Sequence, residues 1–366
     1  MYVILKYSGA WSLCAVHMVS YKGAYTAIVT PFSSNGRELD AEGLVRLSNF
    51  QAENGISGIV SVGTTGESPT LDWDEHIEAF ETTYKTVGSK VTVIASTGSN
   101  STSECVEGTE HAREIGIRDV LLVDPYYNAP SSLEIRREYL EPVASAFRDI
   151  QIIPYIIPGR SGTQLLAQDL ALAYEKHRNI CAVKEATGDF ENMRLIRRLC
   201  GNEFRILSGD DDKTLQMMLD PNVKASGVIS VASNVAPASV QEMCQLVAEG
   251  NITKAKSVAD ALKPLFDIIT VKTVEETNNG QVAFKARNPL PIKTLMSILG
   301  LPGGPLRQPL GRITVKGLQM IMHNAREIQS RNPEIFKPLS DFFDINVEQR
   351  LSNELQYWKG LYYDAY

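Results

Sequence analysis

Short apolar and β-branched runs recur through the first two thirds of the chain. They lie at Ala24–Thr30, Ser57–Val62, Val91–Thr97, Asp119–Asp124, Gln151–Ile156, Ile180–Glu185, Arg205–Ser208 and Gly227–Val231. Between them come segments whose apolar residues return every three or four positions, such as Leu39–Glu53, Trp73–Val87, Ser103–Ile115, Leu133–Phe147, Leu165–Lys176, Asn192–Leu199 and Lys213–Leu219. Eight strand–helix alternations in about 230 residues predict an α/β fold closed as a (β/α)8 TIM barrel rather than an open doubly wound sheet. Beyond about residue 250 the β-rich runs stop and helical spacing continues. Residues 22–250 therefore read as the barrel and 251–332 as a C-terminal helical appendage, with Arg287-Asn288-Pro289-Leu290-Pro291 as a hinge between helices.

Composition narrows the chemistry. The 366 residues, 43% hydrophobic and 22% charged, can bury one barrel-sized core and an appendage. The net charge is -7, and no basic stripe or Lys/Arg run appears, which argues against nucleic acid as a partner and leaves any anionic substrate to a few local cations. The cysteines Cys14, Cys105, Cys181, Cys200 and Cys244 form no Cys-x-x-Cys pair and read as reduced thiols of a cytoplasmic protein. His17, His76, His111, His177 and His323 show no metal-ligand spacing, so no metal is expected in the chemistry. No apolar run is long enough to span a membrane.

The two ends stand apart. Residues 1–21 form an N-terminal extension with an incomplete signal-peptide pattern, broken by Ser8, Gly9 and Ser12, and Met18 is a candidate start. Residues 333–366 carry Phe342, Phe343, Tyr357, Trp358, Tyr362, Tyr363 and Tyr366, an aromatic content that predicts packing on a partner surface.

In a barrel, the residues at the C-terminal ends of the strands converge on one mouth. Here those ends carry Gly63-Thr64-Thr65-Gly66-Glu67-Ser68, Pro125-Tyr126-Tyr127-Asn128, Tyr155 to Gly162 with Arg160, Lys184, and Ser208-Gly209-Asp210-Asp211. Lys184 ends an apolar strand. A lysine amine has a pKa near 10.4, so only about one in a thousand is neutral near pH 7.4; roughly 4 kcal/mol of desolvation or nearby positive charge corrects that. Each piece also has a plain reading. Lys184 could pair with Glu185, the glycines could serve a turn, the tyrosines could cap the core, Arg160 could be a surface arginine, and Asp210 or Asp211 could cap the helix that follows. Their convergence on one mouth favours a site built for carbonyl chemistry.

Six segments carry a resemblance from about Gly23 to about residue 330: Thr-Ala-Ile-Val-Thr-Pro-Phe at 26–32, Gly-Thr-Thr-Gly-Glu at 63–67, Pro-Tyr-Tyr-Asn at 125–128, Pro-Gly-Arg-Ser-Gly at 158–162, Val-Lys-Glu-Ala-Thr-Gly at 183–188 and Gly-Val-Ile-Ser at 227–230. On these the chain resembles the dihydrodipicolinate synthase family, among the lysine-dependent aldolases that include N-acetylneuraminate lyase. The resemblance implies condensation of pyruvate with L-aspartate-4-semialdehyde, with no cofactor beyond a covalent imine on Lys184. It implies that Thr65 holds the pyruvate carboxylate, that Thr64, Tyr127 and Tyr155 relay protons, that Arg160 binds the semialdehyde carboxylate, and that Gly209 and Ile229 line the floor. It also implies a homo-oligomer, a dimer or a dimer of tight dimers, in which Tyr127 enters a neighbour's site. A second implied site, for the effector L-lysine, comprises Ser68, Trp73, His76, Asn100, Glu104 and Tyr126, although spacing alone fits ordinary helix packing and capping there.

Ile156 stands where the family usually has Asn, and about three extra residues around Asp220–Lys224 lengthen the loop before the eighth strand. A sister aldolase acting on a 2-keto-3-deoxy sugar acid, or a barrel retained for assembly without catalysis, are the competing readings; Arg160 argues against the first and the intact lysine and relay against the second.

Overall fold

The computed structural model describes residues 20–352 and 354–366, so the expectations for residues 1–19 lie outside the described part. Eight parallel strands close a barrel in chain order: β1 (Gly23–Ala27), β2 (Gly58–Ser61), β3 (Thr92–Ser96), β4 (Asp119–Val123), β5 (Gln151–Ile156), β6 (Ala182–Glu185), β7 (Arg205–Ser208) and β8 (Gly227–Ser230). The strands alternate their side chains between two cores, as the two-residue period of a strand requires. Tyr25, Ala27, Val60, Ile94, Leu121, Ile153, Tyr155, Ala182, Leu207 and Ile229 fill the barrel interior. Their neighbours, among them Ala24, Ile59, Val93, Val120, Ile152, Ile156, Val183 and Val228, face the helices. Ile156 thus points away from the site, and its replacement of the family's Asn leaves the cavity walls untouched. Tyr21 belongs to the barrel rather than to an extension: it is buried, and its hydroxyl donates to Asp119 at the start of β4.

The helices that cover the barrel begin with α1 (Ala41–Glu53), α2 (Trp73–Val87) and α3 (Thr102–Ile115). The fourth, α4, is one rod of Ser132–Glu134, a π-wound Ile135–Leu140 and Glu141–Ala146. It is followed by α5 (Ala167–Lys176), α6 (Phe190–Cys200), α7 (Thr214–Leu219) and α8 (Pro237–Ala248). Asp72 opens α2 with a reciprocal capping box to Glu75, and Asp189 caps α6. The lengthened loop at 220–224 is pinned from α6, where Arg194 pairs with Asp220 at 2.7 Å and Arg197 Nε donates to Val223 O at 2.9 Å.

The appendage departs from expectation. After α9 (Ile252–Asp267) the chain makes an antiparallel hairpin, β9 (Thr270–Thr277) and β10 (Gly280–Arg287), before α10 (Leu290–Leu299) and α11 (Val315–Arg331). The strand signal therefore does not stop at residue 250, and Arg287 to Pro291 joins a strand to a helix, not two helices.

The aromatic tail is also corrected. Its helices, α12 (Lys337–Phe343) and α13 (Val347–Ser352), pack on the chain's own core. The rings of Phe342 and Phe343 lie 5.4 and 5.2 Å from that of Phe50 on α1, and Arg326 of α11 sits over buried Trp358. Tyr363 N donates to Ile313 O at 2.9 Å. The apolar area of these rings is spent within the chain, leaving Tyr363 and Tyr366 as the exposed large aromatics of the tail.

Candidate active site

Register sets the centre of the site. Lys184 and Tyr155 are direct partners on β6 and β5, both directed into the barrel, and the Lys184 Nζ lies 4.1 Å from the centroid of the Tyr155 ring. Only 5% of Lys184 is exposed. Removal from water lowers its pKa to about 8, opposed by Asp211 and Asp210 and assisted by the positive charge of Arg160. The sequence asked for a lysine made partly neutral at physiological pH, and burial on this strand supplies it. Burial also pushes the Tyr155 hydroxyl up to about 12, against the pull of the Arg160 charge and the Thr64 hydroxyl, so the phenol stays protonated and able to donate.

Lys184, Tyr155, Thr64, Thr65, Arg160 and Gly209 border one open cavity of about 500 Å³. Gly209 is required there, because a Cβ would meet that of Ala186 at 2.7 Å and Cε of Lys184 at 3.3 Å. Ile229 is buried in the barrel interior and is not among the residues that border the cavity. Tyr127 stands apart. It is 89% exposed, carries a φ of +78°, and borders a neighbouring cavity of about 360 Å³ that also touches Thr64, Tyr155, Arg160, Ser68 and Tyr126.

The threonine loop is held from the appendage. Glu67, at φ +58°, is buried and receives Nζ of the equally buried Lys293 of α10 at 2.6 Å; its other oxygen accepts Arg307 N at 3.0 Å. Lys293 also donates to Thr30 O at 3.0 Å, tying the loops after β1 and β2 to one helix. Asp211 corrects a sequence expectation: it caps no helix of its own, and neither does Asp210. Its carboxylate reaches across to β8, accepting from Ser230 Oγ and from Val231 N at 2.9 Å, and burial raises its pKa to about 6.

Sequence reasoning missed Asn288. Its buried side chain donates from Nδ2 to Thr65 Oγ1 at 3.0 Å, and its backbone carbonyl accepts Arg160 Nη2 at 2.8 Å. With an acceptor lone pair occupied, the Thr65 hydroxyl is turned to donate its own proton toward a carboxylate. The only sequence signal was Asn before Pro after an alternating run. Lys272, Lys285 and Arg287 of the hairpin also border the cavity and were missed with it.

The residues of the implied effector site fall into two groups. The Trp73 and His76 rings lie tilted against each other with centroids 4.7 Å apart, and His76 Nε2 meets Ser68 O at 3.1 Å; burial lowers the His76 pKa, which favours the neutral ring. Trp73 lies against Gly108 of α3, where a Cβ would approach its ring to 2.6 Å. In the other group Ser99 Oγ bridges Asn100 and Glu104, and the pKa of Tyr126 is raised by burial and by the Glu104 charge.

A desolvated amine at a strand mouth, flanked by a phenol, two threonine hydroxyls and an arginine, is the equipment of a barrel enzyme suited to carbonyl chemistry. The family model described as the dihydrodipicolinate synthetase family matches residues 20–328. Among curated relatives, 4-hydroxy-tetrahydrodipicolinate synthase of Syntrophus aciditrophicus (strain SB) is 41% identical over 83% of this chain and 98% of its own. Among solved structures, the enzyme of that name from Methylacidiphilum fumariolicum SolV has a TM-score of 0.77 at 37% identity, covering 86% of this chain and 98% of that one. Dihydrodipicolinate synthase of Cyanidioschyzon merolae, solved with lysine bound, also has a TM-score of 0.77, at 35% identity over 84% of this chain and 98% of that one. The chain belongs to the dihydrodipicolinate synthetase family. It is an enzyme of that family's lyase class, and its function is 4-hydroxy-tetrahydrodipicolinate synthesis, a step of lysine biosynthesis. No helix among the described residues is long and apolar enough to cross a membrane.

Proposed function

We propose that the chain condenses pyruvate with L-aspartate-4-semialdehyde through a covalent imine on Lys184. The observation that carries this reading is the buried Lys184 amine with its pKa lowered to about 8, beside Tyr155 and the Thr64-Thr65 pair. Neutral Nζ attacks the pyruvate ketone, and loss of water leaves the imine. Loss of a methyl proton gives an enamine, whose carbon bonds to the aldehyde carbon while the aldehyde oxygen takes up a proton. The semialdehyde's own amine then attacks the imine carbon, closing the ring and releasing Lys184. The protonated Tyr155 phenol, Thr64 and Tyr127 carry these protons to and from solvent. Thr65, oriented by Asn288, receives the pyruvate carboxylate, and Arg160 receives that of the semialdehyde. The lysine amine supplies the electron sink, so the reading calls for no cofactor.

The reading extends to assembly and control. The exposed Tyr127, held at positive φ, supports a homo-oligomer in which this hydroxyl completes a neighbour's relay. The cavity shared by Ser68, Tyr126 and Tyr127 supports L-lysine as an effector, with Glu104 meeting its α-amino group, Asn100 and Tyr126 its carboxylate, and Trp73 and His76 its stem and ε-ammonium. The free buried thiols Cys105, Cys200 and Cys244 suit a cytoplasmic enzyme.

Borohydride reduction in the presence of pyruvate, followed by mass measurement and peptide mapping, tests the imine. The expected adduct is on Lys184 and is lost in Lys184→Ala; an adduct on another lysine overturns the assignment. Turnover of aspartate semialdehyde in a coupled assay then tests the second substrate. A chain that traps pyruvate yet turns over only a 2-keto-3-deoxy sugar acid is the sister aldolase instead.

A further inference from the structure

The β9–β10 hairpin presents a face of cations to the mouth of the site. In its register Lys272 is directly opposite Lys285, and Thr270 is directly opposite Arg287. Residues two apart on a strand, and residues opposite each other across a pair, share a face. All four border the cavity that holds Lys184, whereas Val271 and Ala286, opposite each other on the other face, are buried in the core. Parity therefore aims one lysine from each strand and one arginine at the site.

Like charges directly opposite in an antiparallel pair destabilise it. No ion pair among the described residues offsets that cost at Lys272, Lys285, Arg287 or Arg160. Arg287 Nη1 donates to Gly159 O at 2.7 Å, which holds the hairpin foot against the Arg160 turn. The carboxylates at the cavity rim are engaged elsewhere: Asp210 and Asp212 flank Lys213, Asp211 binds the start of the β8 loop, and Asp267 pairs with Lys263. Mutual repulsion is felt across the group, with the pKa of Lys285 lowered chiefly by Arg287, then by desolvation, and further by Lys272 and Arg160. An arrangement of cations that repel one another, open to solvent and facing a reaction chamber, is relieved by an anion.

We infer that Lys272, Lys285 and Arg287 form, with Arg160, a mouth subsite for the carboxylate of the incoming aldehyde, and so determine specificity for the second substrate. Pyruvate, fixed deeper by Lys184 and Thr65, does not use it. The inference rests on the imine reading above.

The test is the double variant Lys272→Gln, Lys285→Gln, which keeps side-chain reach and removes both exposed charges. Aldehyde KM is expected to rise about tenfold, with pyruvate KM and borohydride trapping of the pyruvate adduct unchanged, and with Lys272→Arg, Lys285→Arg restoring the wild-type value. The thermal midpoint is expected to hold or rise, because the opposed charges are gone. An unchanged aldehyde KM, or an equal rise for pyruvate, overturns the subsite while leaving the imine reading intact. A wild-type enzyme that traps no pyruvate takes down both.

Discussion

In the proposed imine step Lys184 must lose a proton before it attacks, so its pKa fixes where on the pH scale that step runs. Burial has brought that value to about 8, which makes the rate of imine formation rise with pH and reach half its plateau near pH 8, in place of about 10.4 for a solvated lysine. Initial rates of borohydride-trappable adduct between pH 6 and 10 check this; a rise centred near 10.4 would refute the role given to burial. Tyr127 is argued at the same scale. Tyr127→Phe removes only a hydroxyl from a side chain that is 89% exposed, so the fold should be untouched while turnover falls by roughly 10² through loss of a proton carrier. Steady-state turnover in that variant, beside an unchanged unfolding curve, is the measurement. The gathering of Lys184, Thr64, Thr65 and Arg160 around one cavity was legible in the sequence, because they sit where apolar runs end. Asn288 was not, because its work is a single hydrogen bond to Thr65 across 223 residues of chain, and no local spacing encodes that.

Among elements, α10 reaches the loops after β1 and β2 through one side chain. Its Lys293 enters the protein interior to meet Glu67, and both side chains are fully buried. Removing one member of such a pair strands the other charge without water. Lys293→Met is accordingly expected to cost about 3–5 kcal/mol in urea unfolding, and Glu67→Gln, Lys293→Met together to recover most of it. A single variant as stable as wild type would show the pair to be incidental. The barrel strands were legible because parallel strands covered on both sides read as continuous apolar runs. The hairpin was not, since β9 and β10 are solvated on one face and mix apolar with polar and charged residues, a pattern that a search for apolar runs passes over. The Asn279-Gly280 step between them was the available signal. The tail rings were read as packing on a partner surface because nothing in their local sequence names Phe50 of α1 as what Phe342 and Phe343 cover.

For the molecule as a whole, the residues proposed to bind the effector and those proposed for catalysis share a wall. Tyr126 and Tyr127 are adjacent on one loop, so a ligand that moves the first displaces the second and weakens the relay without entering the pyruvate cavity. L-lysine is therefore expected to inhibit partially and without competing with pyruvate, and Glu104→Thr to relieve that inhibition while leaving uninhibited turnover in place. Initial-rate inhibition curves decide it, and indifference of the wild-type enzyme to millimolar L-lysine would end the proposal. The hairpin carries a different consequence. Its two feet, Thr270 and Arg287, are cross-strand partners, so the chain leaves α9 and re-enters toward α10 at nearly the same point. Between those feet the charges of the solvated face can be exchanged, and the exposed tip at 278–281 lengthened or replaced, without altering the path of the helices or the closed barrel beneath, while Val271 and Ala286 on the other face stay in the core. Selectivity at the entrance and reactivity at Lys184 are thereby free to evolve, or to be redesigned, one at a time.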